Sequence, residues 1–470
     1  MFSEILKYMV ITICLYSIYL ILEIIFPPFN FPKTIPTIPF YVSFLGSYTN
    51  LDQEQIYERY LKEKLEKHGA VKIYFASRWN ILVSKPEYLL TVFKNEDVYA
   101  KSGNHIKIPG SVLSSYTGDN IISAHGELWK LYREVVAQSI QFPNTEPVYE
   151  HTKVLLEILE NELKLGNTVA VTDLLQRYTL NNVGKSIIGV DFNALDGSSS
   201  TMHQKIMYVK SQIFRPFYMN FPYFDSFPIP SRLNAKKEVI KFRKWFGEKL
   251  INEHKSELSN SAATKLVNAL DDGKLTEKQF LDNAIILMVA GHENPLLLML
   301  SILFVLGKNP QLQELLRTKK MHLEAVIYET LRVYPPLGQI INRCTSKPTI
   351  LSDNILIPKG VYVGYNNLAT GRDRGVWGPD ADEFKPSRWG STLEEINQNF
   401  SQAKRLATLP AFHGRKRACL GEKFALFEIK ECISAIIYKY RISLGENWKQ
   451  KFTPAGPICP VGLQIKFEKV

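Results

Sequence analysis

The sequence predicts a mainly α-helical fold with small β-sheets. Helical patterns dominate from about residue 51 to residue 331, and a hydrophobic content of 45% supports a large core. Short strands are predicted at Val71–Phe75, Asn80–Val83, Val361–Gly364 and Leu463–Phe467. Because no Gly/Ser linker, repeat or low-complexity run divides the chain, most of it is expected to form one domain.

The N-terminus predicts a membrane anchor. Residues 8–26 are apolar apart from Thr12, Ser17 and Glu23. This stretch is just long enough to span a bilayer. No small-residue cleavage site follows, and a proline-rich stretch comes next, which is typical of a stiff, extended connector. The sequence therefore divides into an anchor at 1–26, a proline-rich hinge at 27–39 and one large folded domain at 40–470. Lysines on both sides of the span leave its orientation open.

A long apolar helix is predicted after residue 276. Thr276 and Gln279 form a capping box, and the apolar pattern continues to Leu306. Gly307 is expected to cap this helix, and Pro310 forbids its continuation.

The middle of this helix is expected to bind a small ligand. Ala290 and Gly291 permit the close approach of a flat group, and Asn294 lies one turn beyond Ala290 on the same face. Because Pro295 has no N–H, the carbonyl of Gly291 is left as a free acceptor for water or dioxygen.

This helix has two alternative interpretations, a second membrane span and a metal site. It is long enough for a second membrane span, but polar side chains at mid-depth make that arrangement costly. His292 and Glu293 are candidate metal ligands, but adjacent helical residues face away from each other and no histidine follows at the required spacing.

Cys419 stands between a basic loop and the start of a helix. The loop reads Phe-His-Gly-Arg-Lys-Arg-Ala-Cys-Leu-Gly over residues 412–421. Cations and a helix N-terminus both favour a thiolate, and a thiolate is a suitable axial ligand for haem iron. The alternative is a buried structural cysteine. The odd number of cysteines, five, argues against a disulfide framework and for a reducing compartment.

Two further pairs are spaced for a shared helix face. Glu329 and Arg332 stand three residues apart, and Trp129 and Arg133 stand four apart. Taken alone, the first pair is typical of a solvated ion pair and the second of an ordinary amphipathic helix.

Together these segments resemble the cytochrome P450 family, of the microsomal fungal type. Phe412, Arg417, Cys419 and Gly421 match the family's haem-ligand loop Phe-x-x-Gly-x-Arg-x-Cys-x-Gly, whereas Arg415 replaces its middle glycine. The resemblance covers nearly the whole chain. It implies the cytochrome P450 fold, with Cys419 as the iron ligand. Heme b would lie between the cysteine loop and the long apolar helix that follows residue 276, here called the oxygen helix.

The resemblance also implies roles for other residues. Haem propionates would be bound by Trp129, Arg133, Arg343 and Arg417. Glu329, Arg332 and Arg388 would form a structural brace below the haem, since a guanidinium can hold a carboxylate in a bidentate manner. The oxygen site would comprise Ala290, Gly291, Glu293 and Asn294, with Asn294 in the place of the family's alcohol.

The implied activity is oxygen activation with electrons from an NADPH-dependent flavoprotein reductase. The resemblance places the catalytic domain in the cytosol, on the endoplasmic reticulum membrane. A basic cluster is expected to dock the acidic reductase; it comprises Lys404, Arg405, Arg415, Lys416, Arg417 and Lys423. A solvated basic face without a partner is the alternative. Nucleic acid is not expected as a partner, because the basic residues behind the net charge of +11 are otherwise spread along the chain.

An aromatic segment, residues 214–224, matches the family's substrate-access region. It is interpreted either as a second membrane contact or as a loop packed over the core.

Within the family, residues 411–426, the Gly-His-Glu-Asn of the oxygen helix and residues 453–460 resemble the fungal spore-wall branch. That resemblance implies oxidative coupling of the small-molecule substrate N-formyltyrosine to bisformyl dityrosine. The alternatives are a lipid or sterol hydroxylase and a non-catalytic membrane-bound haem-binding protein. For the substrate carboxylate, the expected donors are Lys101, Lys107 and Arg215.

Overall fold

The computed structural model describes residues 2–197, 200–254, 260–351 and 355–470. Its longer helices, numbered in chain order, are α1 (Phe2–Ile25), α2 (Pro86–Lys94), α3 (Gly126–Gln141), α4 (Glu146–Leu163), α5 (Val171–Asn182), α6 (Thr201–Ile213), α7 (Pro230–Glu253), α8 (Ala262–Asp271), α9 (Glu277–Lys308), α10 (Pro310–Arg317), α11 (Leu323–Val333), α12 (Leu393–Arg405) and α13 (Glu422–Lys439). Shorter helical segments lie at Val42–Tyr48, Gln53–Ile56, Tyr57–Leu61, Lys62–His68, Asn104–Lys107, Val112–Thr117, Val183–Ile188, Pro216–Asn220, Pro222–Ser226, Asn367–Gly371, Arg374–Trp377, Pro386–Trp389, Pro410–Phe412 and Arg415–Arg417.

The strands form three small sheets. They are β1 (Ala70–Phe75), β2 (Arg78–Val83), β3 (Tyr99–Lys101), β4 (Thr168–Ala170), β5 (Gln339–Thr345), β6 (Thr349–Leu351), β7 (Ile355–Ile357), β8 (Tyr362–Asn366), β9 (Tyr440–Leu444) and β10 (Gln464–Lys469). The largest sheet has the order β1-β2-β8-β5-β3, in which only the pair β2–β8 is parallel. The predicted fold class, mainly α with small sheets, is confirmed, and the four predicted strands correspond to β1, β2, β8 and β10.

Helix α9 runs through the core. Thr276 caps its start and forms the predicted capping box with Gln279. The helix ends two residues later than predicted, at Lys308, and Gly307 is not its cap. A Cβ at Gly307 would lie 3.0 Å from a methyl of Leu444 on β9, so this glycine permits close packing of helix and strand.

Two helices are long and apolar enough to cross a membrane, but their surroundings differ. In α1 the apolar stretch Glu4–Ile25 has no burial, whereas 72% of the most apolar window of α9 is buried inside the protein. The burial of α9 favours a core helix over the second membrane span that was weighed as an alternative.

The predicted hinge, residues 27–39, packs against the domain along β1. Its Phe31 and Ile35 are buried, and the backbone N–H of Ile38 donates to the carbonyl of Lys72 at 2.8 Å. The indole N–H of Trp79 donates to the carbonyl of Glu23, at the end of α1, at 3.0 Å. The end of α1 is thereby held against the sheet.

The aromatic segment lies on the same side. Phe221 stacks on Phe44 with ring centres 5.2 Å apart, and Phe44 packs on the same buried cluster as Ile24 of α1. Phe214, Phe217 and other aromatic side chains of this segment are exposed.

Candidate active site

A cavity of about 230 Å³ separates α9 from the loop that carries Cys419. From α9 its lining includes Ile286, Leu287, Ala290, Gly291, Asn294, Pro295 and Leu298. From the loop side it includes Phe412, His413, Arg417, Ala418, Cys419 and Gly421. The two segments singled out in the sequence thus face one another across a single cavity.

Cys419 faces this cavity at the start of α13. Its backbone N–H donates to the carbonyl of Phe412 at 2.9 Å, which closes the loop. Burial raises the pKa of the thiol to about 11, although the backbone N–H groups of Gly421 and Glu422 act in the opposite direction. The surroundings of Cys419 in this structure thus favour the thiol. A coordinated metal cation would favour the thiolate, because a coordinated thiol loses its proton.

The loop keeps a left-handed turn without the expected glycine. Arg415 has φ +58°, a conformation that usually favours glycine, and His413 has φ +60°. Gly414 is extended, and a Cβ there would lie 2.6 Å from the ring of Phe93. The glycine shifted by one position thus permits packing on Phe93, while Arg415 provides the turn.

Trp129 is the centre of a cationic group. The guanidinium carbons of Arg417 and Arg133 lie 4.5 Å and 5.6 Å from the centre of its ring, within cation–π range. Arg417 also forms an ion pair with Glu96 at 2.8 Å, and burial lowers the pKa of this arginine to about 10.

Arg343 and Lys101 complete this group. They stand directly opposite each other on β5 and β3, and both are buried. Like charges in this arrangement destabilise a sheet unless an anion lies between them. Arg343 donates to the carbonyl of Tyr99 at 3.0 Å, but its Nε and Nη2 have no partner in the described part of the chain. Burial, together with Arg343 and Arg417, holds the pKa of Lys101 well below its usual value.

The predicted brace is assembled. Glu329 and Arg332 are fully buried and form two hydrogen bonds, at 2.7 Å and 2.9 Å. Glu329 also accepts from the indole N–H of Trp389 at 3.0 Å and from the backbone N–H of Lys385 at 2.8 Å. Arg388 lies 3.5 Å from Glu329, while its stronger contact, at 3.0 Å, is with Asp380.

The four polar or small positions of α9 divide into two groups. Ala290, Gly291 and Asn294 line the cavity, but Glu293 does not; it pairs with Lys210 at 2.8 Å. Burial acts to raise the pKa of Glu293, but His292 and Lys210 outweigh it and lower the value to about 2.

Gly291 and His292 have packing roles that the sequence did not indicate. A Cβ at Gly291 would lie 2.2 Å from Val183, so the small residue lets the segment Val183–Ile188 approach α9. His292 is buried, and its Nδ1 lies 2.6 Å from the carbonyl of Met288. Among the described residues, no group of three or more His, Cys, Asp or Glu side chains is arranged to hold a metal ion, so nothing supports a metal role for His292.

The family model for cytochrome P450 matches residues 35–466. The chain belongs to the cytochrome P450 family. It is 45% identical to Cytochrome P450-DIT2 of Saccharomyces cerevisiae over 485 aligned positions, which cover 99% of each chain. It is 36% identical to the cytochrome P450 monooxygenase xanG of Aspergillus fumigatus, over 91% of this chain and 85% of that protein. Cytochrome P450 94A1 of Vicia sativa is 25% identical over 77% and 76% of the two chains.

This cytochrome P450 is accordingly a monooxygenase-class enzyme, and its family implies a haem iron held by a cysteine thiolate. The residues fit that group. The cavity has a cysteine on one side and small residues of α9 on the other. The unpartnered nitrogens of Arg343, beside Lys101, would suit an anion such as a haem propionate.

Two cavity residues of this cytochrome P450 had no signal in the sequence. His413 is in contact with the hydroxyl of Tyr365, and burial holds its pKa well below its usual value. Asn367 donates to the carbonyl of Leu337 at 2.7 Å, and its buried Oδ1 has no partner among the described residues. His413 follows the helical turn Pro410–Phe412, and Asn367 begins the helix Asn367–Gly371. Elements this short have no periodic pattern that would identify a buried face.

The three residues that were expected to donate to the substrate carboxylate lie in different parts of the structure. Lys101 lines the cavity and stands opposite Arg343 in the sheet. Lys107 and Arg215 do not line the cavity; Lys107 is buried near β5, and Arg215 donates to Gln212 within α6 at 3.2 Å.

Proposed function

We propose that this cytochrome P450 holds heme b through Cys419 and couples two molecules of N-formyltyrosine into bisformyl dityrosine for a fungal spore wall. The observation that carries the haem assignment is that Cys419 and Asn294 line one cavity from opposite sides. The substrate assignment is supported by 45% identity to Cytochrome P450-DIT2 over the full length of both chains.

The cofactor would be held by charge as well as by the thiolate. Its two propionates would be bound by Trp129, Arg133, Arg343 and Arg417, with Lys101 as an additional donor. The brace of Glu329, Arg332 and Arg388 would fix the region beneath it. Bound haem would supply the reductive activation of dioxygen.

The coupling reaction balances with one dioxygen for each dimer. Two hydrogen atoms leave two phenols, and a carbon–carbon bond joins the rings. Two electrons come from NADPH through a flavoprotein reductase, with two protons from NADPH and solvent. Dioxygen leaves as two waters. No oxygen enters the product, which is compatible with an amide, Asn294, in the place of an alcohol.

The reductase would dock on the exposed basic residues around the cysteine loop. Arg405, Arg415, Lys416 and Lys423 are exposed. Two members of the expected cluster contribute less: Arg417 is buried against Glu96, and Lys404 pairs with Glu422. Electrostatic steering by the exposed residues would raise the rate of encounter with an acidic partner.

The apolar helix α1 is compatible with a single membrane anchor. We assign the enzyme to the endoplasmic reticulum membrane, with residues 1–26 as anchor, 27–39 as connector and the catalytic domain, 40–470, in the cytosol. The exposed aromatic side chains of residues 214–224 would form a second contact with that membrane.

A lipid or sterol hydroxylase is the second candidate. It is favoured by one observation, the apolar character of the α9 face of the cavity, where only Asn294 is polar. A non-catalytic haem-binding protein is less well supported, because Arg415 preserves the left-handed turn of the cysteine loop.

The test is turnover by the full-length protein with a flavoprotein reductase and NADPH. N-formyltyrosine should yield the dityrosine product, with two phenols consumed for each dimer. If the only products are hydroxylated lipids or sterols, the coupling assignment fails. If reductase-driven oxygen consumption is absent with every substrate, the protein is a haem-binding protein without turnover.

A further inference from the structure

Most buried cationic side chains in this protein contact a carboxylate. Arg232, Arg372 and Arg417, for example, lie 2.6–2.8 Å from Asp or Glu oxygens. This is the usual requirement, since an unpaired charge in a protein interior is costly.

Four buried cations in the described part of the chain have no carboxylate partner: Lys72, Lys101, Lys107 and Arg343. Lys101 lines the cavity, and Arg343 stands opposite it on β5, so both are assigned to the proposed propionate site. Lys72 donates to the carbonyl of Pro32 at 3.0 Å, at the edge of the domain. Lys107 differs from the other three. It is not assigned to a haem propionate, and unlike Lys72 it has a second basic side chain beside it.

That second cation is Arg78. Its Nη2 donates to the carbonyl of Lys107 and, at 2.7 Å, to the hydroxyl of Tyr223, while its buried Nε has no partner. The Lys107 Nζ has one hydrogen bond, at 3.3 Å, to the carbonyl of Ile341. Both cations lie against the ring of Tyr362, at 4.8 Å for Arg78 and 5.2 Å for Lys107.

The location of the pair is informative. Tyr223 belongs to the aromatic segment, and Ile341 belongs to β5, two residues before Arg343. The pair therefore connects the substrate-access region with the strand that carries the cationic group of the cavity. Burial, together with Arg78, lowers the pKa of Lys107 to about 7, as expected for a buried lysine without an anionic partner. These two basic side chains, next to the rings of Phe75 and Tyr362 and the hydroxyl of Tyr223, match the chemistry of an aromatic carboxylate.

We propose that Arg78 and Lys107 form a binding site for the carboxylate of a small aromatic acid on its way to the cavity. The site deepens the proposed function, on which it rests, since N-formyltyrosine is such an acid. It gives the enzyme a preference for acids over neutral phenols before any chemistry takes place.

The experiment measures dissociation constants by calorimetry on the full-length holoenzyme. The two ligands are N-formyltyrosine and N-formyltyramine, which differ only in the carboxylate. The wild-type protein should bind the acid at least tenfold more tightly. Arg78→Gln and Lys107→Gln should each weaken binding of the acid by about ten- to a hundredfold, the usual range for a charged hydrogen bond, and leave N-formyltyramine within twofold.

Lys72→Gln is the matched control, because it removes another buried lysine that contacts only a carbonyl; it should alter neither constant. Haem content and the melting temperature verify folding. Equal, measurable binding of N-formyltyrosine and N-formyltyramine by the wild-type protein would overturn the proposal, even if both variants failed to fold. Equal weakening of both ligands in the variants would also overturn it.

A second ligand pair separates this site from the substrate assignment. If N-formyltyrosine does not bind but another small aromatic acid, phenylacetic acid, binds more tightly than 2-phenylethanol, and the variants abolish that preference, the carboxylate site stands and the tyrosine assignment fails. If N-formyltyrosine is coupled normally while the variants bind it unchanged, the proposed function stands and this site does not.

Discussion

The guanidinium carbon of Arg417 lies over Trp129, 4.5 Å from the ring centre. This contact joins the cysteine loop to α3, which is nearly 300 residues earlier in the chain. Arg417 also binds the backbone carbonyls of Ile121, Ile122 and Ala124 at 3.0–3.3 Å. The segment before α3 is thus fixed relative to Cys419 before any cofactor contact is considered.

Ligation by Cys419 predicts a clear spectral result. Cys419→Ser should lose the absorption band of thiolate-bound, carbon-monoxide-treated reduced haem, because a serine hydroxyl cannot provide a thiolate. Cys432→Ala is the control, since Cys432 is buried on α13, away from the cavity lining. The assignment would be wrong if the control lost the band and Cys419→Ser retained it.

Arg133→Ala should weaken haem retention by one to two orders of magnitude. A charge-assisted hydrogen bond contributes about 1.5–3 kcal/mol, and Arg133 lines the cavity beside Trp129. Haem transfer to apomyoglobin measures the effect. Lys130→Ala, on the same helix but exposed and paired with Glu127, should leave the transfer rate unchanged. Full haem retention in Arg133→Ala would contradict a propionate role.

Glu329→Gln should lower the free energy of unfolding by about 3–5 kcal/mol, the typical cost of breaking a buried ion pair. Glu329 accepts four hydrogen bonds, two of them from Arg332, and both side chains are fully buried. Urea unfolding provides the measurement. Glu324 lies on the same helix as Glu329 and forms a partly exposed ion pair with Lys430. Glu324→Gln should therefore lower the free energy of unfolding by less than about 1 kcal/mol. Similar losses for the two variants would mean that the brace adds no special stability.

Glu293 predicts a specific acid sensitivity. Its pKa is about 2 in the folded protein and 4.5 in a free side chain, so its contribution is complete above pH 4.5 and is lost as the pH falls towards 2. Between pH 6 and pH 3 the wild-type protein should therefore lose about 2 kcal/mol more stability than Glu293→Gln. Chemical denaturation at both pH values measures the difference. Glu238→Gln, at an exposed ion pair with Lys241, should behave like the wild-type protein.

Asn294→Thr should shift the products from coupled phenols towards oxygen insertion, because a hydroxyl both donates and accepts a proton where the amide does not. The ratio of hydroxylated to coupled product, measured by mass spectrometry, tests this. Asn294→Ala separates the gain of an alcohol from the loss of the amide, and it should lower coupling without adding hydroxylation. An unchanged ratio in Asn294→Thr would show that this position does not direct the outcome.

Local spacing predicted much of the site. Glu329 with Arg332 and Trp129 with Arg133 each lie on one helix, where a separation of three or four residues fixes their relative positions. The capping box at Thr276 likewise predicted the start of α9 correctly. These features depend only on neighbouring residues, and helical geometry supplies the rest.

Long-range pairing was not predictable in the same way. Lys101 faces Arg343 across two strands, but β3 has only three residues, which is too short for an alternating pattern. The contact of Arg417 with Glu96 and the pairing of Glu293 with Lys210 also join distant segments. Nor did the basic loop indicate that burial would dominate the pKa of Cys419. Each of these depends on packing that no single segment encodes.

The contacts of Trp79 with Glu23 and of Phe44 with Phe221 affect how tightly the protein would hold a lipid surface. The exit of α1 and the aromatic segment are attached to the same face of one rigid sheet. If α1 inserts as proposed, the exposed aromatic side chains would meet the bilayer at high effective concentration, so their binding would become an intramolecular step without a further translational cost. Two modest attachments would then act as one strong attachment, and the aromatic residues would add residence time to the anchor.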